Sequence, residues 1–341
     1  MARPGNRPVE GRRRRPTSAD VAREAGVSRA TVSYVLNQVP HQSIPEHTRK
    51  AVLEAAERLN YTPSAAARIL RRGRSELVLF AMADWPIQHN VAQGIETLSR
   101  ELHEHGLTLV TRHLERSPRG IADVWNQINP IAVIGVEAFD QADVAAMRAA
   151  GIQVVLALVS DDPQPGVLTI SQRSWSRLQV EHLAANGHRR LGYAWPTDPR
   201  VAMFAEPRLA GAREACAELG LEEPVVQIVA EDTTAAARAV ETWRAGPRPV
   251  TAICAYNDEV AFALLAGIRA LGLRVPADLA VVGLDDVLQA KFAVPPLTTV
   301  AVDNPRLATH LADSVIRGLD GKPFPELPPD HFCRLVVRES A

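Results

Sequence analysis

The chain has 341 residues, of which 46% are hydrophobic, and its formal net charge is −1. This length predicts two or three domains, each with a core of its own. No uninterrupted apolar run reaches the roughly 18 residues of a membrane helix, so we expect no membrane partner. The basic amino terminus leads into no apolar segment, which argues against a secretory signal and predicts a cytoplasmic location.

Charge is unevenly distributed along the chain. Residues 1–75 carry 15 Arg and Lys against 6 Asp and Glu, whereas residues 76–341 carry 23 against 33. A basic segment beside an acidic body is typical of a protein that binds a polyanion, because each neutralised phosphate releases counterions. Residues 1–16 form a basic tail that we predict to be disordered. Its run Arg12 to Arg15 either adds non-specific phosphate contacts or only keeps the chain in solution.

The segment Thr17 to Asn37, TSADVAREAGVSRATVSYVLN, predicts two short helices joined at Gly26, where glycine allows a positive φ. Ser28 is a suitable N-cap for the second helix. A third amphipathic segment, Pro45 to Leu59, would close the core of such a small unit. We therefore predict a helix-turn-helix domain over residues 17–62. The same pattern by itself also suits a helical hairpin inside a larger core.

Residues 63–75 are predicted to form a hinge between this domain and the body. Pro63 ends the third helix, and Ser64 to Arg72, SAAARILRR, has high helix propensity but is too short to be stable alone. Its arginines and alanines suit a helix that folds against the minor groove, with Leu70 inserted at a base step. A plain interdomain linker is the alternative for this segment.

From Glu76 onward, short apolar runs alternate with amphipathic segments. Such alternation predicts a doubly wound α/β body, here as two similar subdomains over residues 76–341 with a ligand cleft between them. The predicted strands are Leu77 to Ala83, Leu107 to Thr111, Ala132 to Val136, Gln153 to Val159, Leu191 to Ala194, Val225 to Val229, Ala252 to Ala255, Leu279 to Gly283 and Arg334 to Val337, and the first helices are Asn90 to Glu104, Pro118 to Gln127 and Gln141 to Ala150.

Polar side chains near the carboxyl ends of these strands are candidates for ligand contact. Asn257 and Asp258 follow one strand, Asp285 and Asp286 follow another, and Arg208 is expected in the loop after the fifth strand. Asn257, Asp285 and Arg208 are predicted to contact a polar ligand. For the other two we favour structural roles: Asp258 as the cap of the following helix and Asp286 in a turn.

Catalytic and metal-binding motifs are missing from the sequence. No G-x-G-x-x-G follows the first strand, and the Walker loop, the G-x-S-x-G elbow and H-E-x-x-H are absent. Cys216, Cys254 and Cys333 lack partner histidines at metal-ligand spacing, so we interpret them as buried apolar residues. His182 and His188 flank a helix end and are interpreted as structural. We expect no enzymatic activity, no metal and no cofactor.

These motifs closely resemble those of the lactose-repressor (LacI/GalR) family of bacterial transcription regulators, from Thr17 to the end of the chain. The resemblance is carried by DVAREAGVSRATVSYVLN, NYTPSAAARILRRG, VEHLAANGHRRLG, RLAG, YNDEVAFALLAGIRALGLRVPADLAVVGLDD and PPLTTV. It implies an N-terminal all-α helix-turn-helix headpiece and an α/β periplasmic-binding-protein-like sensor of two doubly wound subdomains. The implied function is a repressor that binds a pseudo-palindromic operator in double-stranded DNA as a homodimer and responds to a small polar effector, such as a sugar.

The resemblance also implies roles for individual residues. Arg29 is suited to the O6 and N7 atoms of guanine, and Ala30 to a thymine methyl group. The implied DNA-binding residues are Thr17, Ser28, Arg29, Ala30, Thr31, Ser33, Tyr34, Asn37, Thr48, Ser64, Ala67 and Leu70, and the implied effector-binding residues are Trp85, Arg208, Asn257 and Asp285.

The sequence departs from the family pattern at several positions. Tyr34 stands where arginine is common, and Pro45 stands where serine is common. The loop that holds Trp85 lacks the usual aromatic-rich run, and QRSW at Gln172 to Trp175 replaces an Asp-Asn phrase. These changes weaken the case for a sugar and leave another polar metabolite open. The chain ends without leucine heptads, which favours a dimer over a tetramer.

Two other classes of protein share parts of this pattern. A solute-binding protein for transport has the same kind of body, but the basic head and the missing export signal oppose it. A metabolic enzyme fused to a DNA-binding head is opposed by the absent catalytic motifs.

Overall fold

A computed structural model describes residues 16–36, 44–61, 75–85, 89–114, 121–137, 139–159, 171–328 and 330–341. The chain forms two compact units, Met1–Ser75 and Glu76–Ala341. The basic tail up to residue 15, Asn37, the predicted hinge helix and the start of the helix predicted at Pro118 lie outside the described residues. None of the helices within the described part of the chain is long and apolar enough to cross a membrane.

The first unit contains three helices, and its first two form the predicted helix-turn-helix. Gly26 has φ +64°, and the next residue, Val27, donates its N–H to the Ala22 carbonyl at 3.0 Å. This hydrogen bond reaches back over a left-handed glycine, which is how many helices end. The helices are α1 (Ser18–Glu24), α2 (Arg29–Leu36) and α3 (Glu46–Arg58).

Side-chain caps fix where these helices begin. The Thr17 N–H donates to the Asp20 carboxylate at 2.9 Å, and Ser28 Oγ accepts from the Thr31 N–H at 3.0 Å. Each bond satisfies a group that has no partner in the helix ladder. Pro45 is the N-cap of α3 and lies just outside the helix. The buried core consists of Val21, Ala22, Val32, Val35, Val52, Ala55 and Ala56.

The second unit alternates strands and helices along its whole length. The strands are β1 (Leu77–Ala83), β2 (Thr108–Leu114), β3 (Ala132–Glu137), β4 (Val154–Val159), β5 (Leu191–Pro196), β6 (Val225–Val229), β7 (Ala252–Ala255), β8 (Ala280–Asp285), β9 (Thr298–Val302) and β10 (Cys333–Val336). The helices are α4 (His89–Glu104), α5 (Ala122–Ile128), α6 (Gln141–Ala149), α7 (Gln172–Ala185), α8 (Ala202–Glu218), α9 (Thr233–Arg244), α10 (Asp258–Ala270) and α11 (Asn304–Leu319).

The strands form two sheets, as the alternation predicts for two subdomains. The first sheet has the order β2-β1-β3-β4, and the second has the order β10-β9-β8-β7-β5-β6. In the first sheet Val78 pairs with Leu109 on one side and Ala132 on the other. All pairs are parallel except β10 with β9. The predicted doubly wound α/β fold is confirmed.

Helix α11 joins the two subdomains. It follows β9 of the second sheet, yet it packs against α4 and β4 of the first subdomain. The chain then returns to the second sheet as β10, antiparallel to β9. Residues at the start of α11 therefore lie beside the cleft between the subdomains.

Three details of the sequence interpretation are wrong. Strand β9 was not predicted, because it begins with two polar residues. Thr298 and Thr299 are nevertheless fully buried. Arg208 lies within α8 and not in a loop, because α8 begins at Ala202 and continues through Pro207. Strand β10 begins at Cys333, one residue before its predicted start.

Candidate nucleic-acid interface and ligand cavity

Helix α2 has two opposite faces. Val32 and Val35 are buried in the core of the first unit. The opposite face follows the i, i+1, i+4, i+5 spacing of one side of a helix. Tyr34 on this face is 37% exposed. The residues of this face, which we call the reading face, are Arg29, Ala30, Ser33 and Tyr34.

Arg29 differs from its neighbouring arginines in having no ionic partner within the described part of the chain. Arg23 lies 3.3 Å from the Asp20 carboxylate, and Arg58 lies 3.3 Å from the Glu24 carboxylate. Among the described residues, no carboxylate forms an ion pair with Arg29, which is exposed. As far as the described residues go, its guanidinium donors are therefore available for an external acceptor.

The second unit contains a cavity of about 140 Å³ between its subdomains. Most of its wall is aromatic or aliphatic, and four of its lining residues carry polar side chains that converge on the space. The apolar wall includes Phe80, Trp85, Leu98, Val136, Trp175, Phe204, Tyr256 and Leu311, and the polar residues are Gln172, Arg208, Asp285 and Asn304.

Arg208 is the charged centre of this wall and is only 6% exposed. Its Nε donates to Gln172 Oε1 at 2.8 Å, and its Nη1 donates to the Tyr256 carbonyl at 2.9 Å. The guanidinium carbon lies 4.7 Å from the Tyr256 ring centroid and 5.5 Å from that of Trp175. Aromatic faces attract a guanidinium electrostatically, which holds the side chain in place. Burial also raises the pKa of Tyr256 to about 12, so its hydroxyl stays neutral.

The N-cap of α10 is Asn257 and not Asp258, which the sequence favours for this role. Asn257 Oδ1 accepts from the Val260 N–H at 3.0 Å, so Asn257 caps α10. Asn257 is buried and is not among the residues that line the cavity. The cap assigned to Asp258 is therefore wrong, whereas the contact of Asn257 with a ligand stays a prediction. Asparagine and aspartate are both good N-caps, and the sequence cannot show which of two neighbours takes that place.

Asp258 instead connects α10, β9 and the loop after β8 by hydrogen bonds. Its carboxylate accepts from Thr299 Oγ1 of β9 at 2.6 Å and from the Val287 N–H after β8 at 2.9 Å. Burial raises the pKa of Asp258 well above its ordinary value, and the nearby charge of Asp285 raises it further. Asp258 thereby fixes the loop that follows β8.

That loop begins with two aspartates in left-handed backbone conformations. Asp285, at the end of β8, has φ +116° and lines the cavity. Asp286 has φ +51°, and its carboxylate accepts from Arg338 Nη2 at 2.6 Å. Such conformations are uncommon outside glycine and are concentrated at functional sites. Asp286 thus has a structural role in this loop, and its predicted place in a turn stays a prediction.

The cavity wall also contains residues that the strand-end argument missed. Gln172 and Trp175 belong to the QRSW phrase that departs from the family pattern, so the sequence marks them without assigning a role. Tyr256 directly follows β7, one residue before the predicted Asn257. Asn304 follows the unpredicted strand β9, and no sequence signal placed it near the cleft.

Comparisons with known proteins agree with this architecture. Residues 17–64 match the family described as bacterial regulatory proteins, lacI family, and residues 180–341 match a periplasmic binding protein-like domain. The HTH-type transcriptional regulator GalR of Escherichia coli (strain K12) is 30% identical over 332 residues, 95% of each chain. The chain belongs to the LacI family.

Other relatives and solved structures agree with this assignment. The lactose operon repressor of Escherichia coli (strain K12) is 30% identical over 319 residues, 90% of this chain and 85% of that protein. The lac repressor bound to ONPG in the repressed state aligns with a TM-score of 0.81 at 29% identity, over 96% of this chain and 100% of that chain. The lac repressor dimer bound to operator and the anti-inducer ONPF aligns with a TM-score of 0.79 at 28% identity, over 96% of this chain and 99% of that chain.

In this LacI-family regulator the matched residues 17–64 include α1, α2 and α3. Beyond the reading face, Thr17 and Ser28 are helix caps, Thr31 is half-buried beside Ser28, and Thr48 is half-buried in the first turns of α3. The remaining predicted DNA contacts lie outside the described residues; these are Asn37, Ser64, Ala67 and Leu70.

Proposed function

We propose that this LacI-family regulator represses transcription by binding a pseudo-palindromic operator in double-stranded DNA as a homodimer. The observation that carries the proposal is the reading face of α2 with the exposed Arg29, which forms no ion pair with any described carboxylate. In a helix-turn-helix the second helix enters the major groove. There Arg29 would donate two hydrogen bonds to guanine and Ala30 would contact a thymine methyl group. A regulator bound to its operator would lie in the cytoplasm, at the nucleoid.

An exposed apolar segment of the second unit supports the homodimer. Leu288 is 57% exposed, Phe292 is 70% exposed and Val294 is 74% exposed. Large apolar side chains exposed so close together are typical of protein interfaces. A two-fold pair of chains would present two copies of α2, which matches the symmetry of a palindromic site.

We also propose that a small metabolite binds in the cavity and changes operator affinity. Trp85, Arg208 and Asp285 line this cavity, and both subdomains contribute to its wall. A ligand held between two subdomains favours one closure over the other. If the homodimer contact senses this closure, the ligand and the operator are energetically coupled.

The proposal is tested by selecting bound duplexes from a random DNA pool with the purified full chain at physiological salt. We expect enrichment of a palindrome whose half-sites lie one helical turn apart or a multiple of it. The selection is run once without and once with an extract of small molecules. The two runs cover a ligand that weakens operator binding and a ligand that strengthens it. Salt-sensitive binding without enrichment in either selection would show a non-specific DNA anchor and contradict an operator reader.

A further inference from the structure

The cavity wall is unusually rich in aromatic rings for so small a space. Five aromatic side chains line it, and the rings of Trp85 and Phe204 lie 5.0 Å apart at an interplanar angle of 49°. Ring faces and edges attract each other in offset or tilted arrangements, so such a wall favours a flat, unsaturated ligand. These residues are Phe80, Trp85, Trp175, Phe204 and Tyr256.

The size of the cavity limits the ligand further. Its volume of about 140 Å³ is close to that of an apolar cavity of about 150 Å³ that binds benzene. A single six-membered ring with a short substituent fits this space.

Part of the polar capacity around the cavity is already used within the chain. Gln172 Oε1 is already used by Arg208 Nε, and Asn257 is used as a helix cap away from the cavity wall. A buried hydroxyl without a hydrogen bond opposes binding, so a sugar would lose affinity at each unmatched position.

Two donors of the wall have no acceptor among the residues that the structure describes. Arg208 Nη2 has no hydrogen-bond partner among the described residues, and no described carboxylate forms an ion pair with this buried guanidinium. The indole nitrogen of Trp85 is also buried without a partner in the described part of the chain. Buried charge is normally paired, and a carboxylate is the group that matches a guanidinium best.

We propose that the effector is a monocyclic aromatic carboxylate whose carboxylate binds Arg208 and whose ring lies among the aromatic side chains of the wall. This inference rests on the proposed function, because it names the ligand class of the same cavity. Asp285 also lines the cavity, and its carboxyl oxygens suit a hydrogen bond from a ring hydroxyl better than a second acidic group. A monohydroxylated acid should therefore bind better than a diacid.

The test uses the full-length chain and titrations followed by calorimetry and by intrinsic tryptophan fluorescence, to which Trp85 and Trp175 of the cavity wall contribute. The probes are benzoate and 4-hydroxybenzoate, with benzamide as the neutral match and cyclohexanecarboxylate as the match without an aromatic ring. Terephthalate serves as the diacid, and glucose and galactose serve as sugars. We expect 4-hydroxybenzoate to bind most tightly, and benzamide to bind at least tenfold more weakly than benzoate.

Substitutions then locate the carboxylate. Arg208→Gln should weaken benzoate binding at least tenfold and remove the preference for benzoate over benzamide, while Arg208→Lys should keep part of that preference. Arg213→Gln is the control, because Arg213 lies on the same helix but is exposed and pairs with Glu223 at 2.6 Å. Far-UV circular dichroism checks the fold, and the probe comparison on the unmodified chain decides the question if Arg208→Gln fails to fold.

The alternative outcomes separate this inference from the proposed function. Sugar binding that depends on Arg208, without binding of the aromatic acids, would overturn the ligand class and leave the effector cavity in place. Equal binding of benzoate and benzamide would overturn the role of the carboxylate. Binding of none of the probes would also overturn the inference, whereas operator selection decides the DNA-binding proposal independently.

Discussion

At the scale of single residues, Arg29 is the side chain on which sequence-specific DNA binding should depend most. Its guanidinium has no ionic partner among the described residues and lies on the reading face. We expect Arg29→Ala to reduce operator affinity by about 1–3 kcal/mol and to relax the preference at one base pair. Competitive titration against operator variants measures both effects.

Arg58→Ala is the matched control for this prediction. Arg58 pairs with Glu24 and Glu54 and lies on α3, away from the reading face. Its removal should weaken binding to all sequences equally and only slightly, since it changes the overall charge and no base contact. Equal loss of specificity in both variants would contradict the assignment of Arg29 to a base.

Asp258 should make the stability of the protein depend on pH. Its pKa is raised by burial in the folded chain from an ordinary value of 3.8, so the folded state holds the proton more tightly than the unfolded state. The stabilisation is fully present below the unfolded pKa and is lost as pH rises through the folded pKa. Asp258→Asn keeps an acceptor for Val287 and gains a donor for Thr299. This substitution should therefore remove the loss of stability that occurs as pH rises.

Urea unfolding of both chains from about pH 4 to pH 8 measures the effect of Asp258. The difference in unfolding midpoint should grow in favour of Asp258→Asn as pH rises. Asp278→Asn serves as a control of opposite sign, because hydrogen bonds from Arg274 lower the pKa of Asp278. Parallel profiles for the unmodified chain and Asp258→Asn would show that Asp258 titrates normally.

At the scale of elements, Gly211 sets how closely α7 and α8 can pack. A Cβ atom at Gly211 would lie well inside the van der Waals contact distance of the Arg173 backbone on α7. We expect Gly211→Ala to lower the free energy of unfolding by about 1–3 kcal/mol through overpacking, measured by chemical denaturation. Gly94→Ala in α4 should be neutral or stabilising, because its nearest contact would be an ordinary 3.8 Å.

The elements that could be predicted from the sequence are those whose own residues show a hydrophobic pattern. Strand β7 begins and ends where its apolar run does, because parallel strands buried on both faces are continuously hydrophobic. Strand β9 was missed because Thr299 is buried through its bond to Asp258, a partner 41 positions away. Similarly, Arg208 was expected in a loop, whereas α8 is continuous from Ala202 to Glu218.

The cavity was only partly predictable for a related reason. Asp285 was found because strand ends meet at one edge of a parallel sheet, a rule that needs only the strand positions. Arg208, although expected in a loop, reaches the cavity from a helix. Asn304 reaches it because α11 crosses to the other subdomain, which no local pattern of the sequence encodes.

At the scale of the whole molecule, dimer formation should depend on the exposed segment around Phe292. Phe292→Arg places a charge in the proposed apolar contact and should convert the dimer to a monomer in sedimentation measurements at micromolar concentration. Operator affinity should fall with it, since a monomer binds one half-site. Ile228→Arg is the control, because Ile228 is 68% exposed on the edge strand β6. Unchanged sedimentation of the Phe292 variant would place the interface elsewhere.

Control of the whole molecule by an effector has a quantitative consequence. If the ligand changes operator affinity by some factor, the operator must change ligand affinity by the same factor, because both report one coupling free energy. We expect a factor of about 5 to 150, the usual range for such coupling. Operator affinity is measured with and without saturating ligand, and ligand affinity is measured with and without saturating operator.

The direction of the change assigns the ligand its role in control. A ligand that weakens operator binding is an inducer, and one that strengthens it is a corepressor. Arg208→Gln should lower ligand affinity in the free and the operator-bound protein alike, and it should leave operator binding without ligand intact. A ligand that binds in an Arg208-dependent way but leaves operator affinity unchanged would separate the cavity from regulation, since equal affinity for both states shifts no equilibrium.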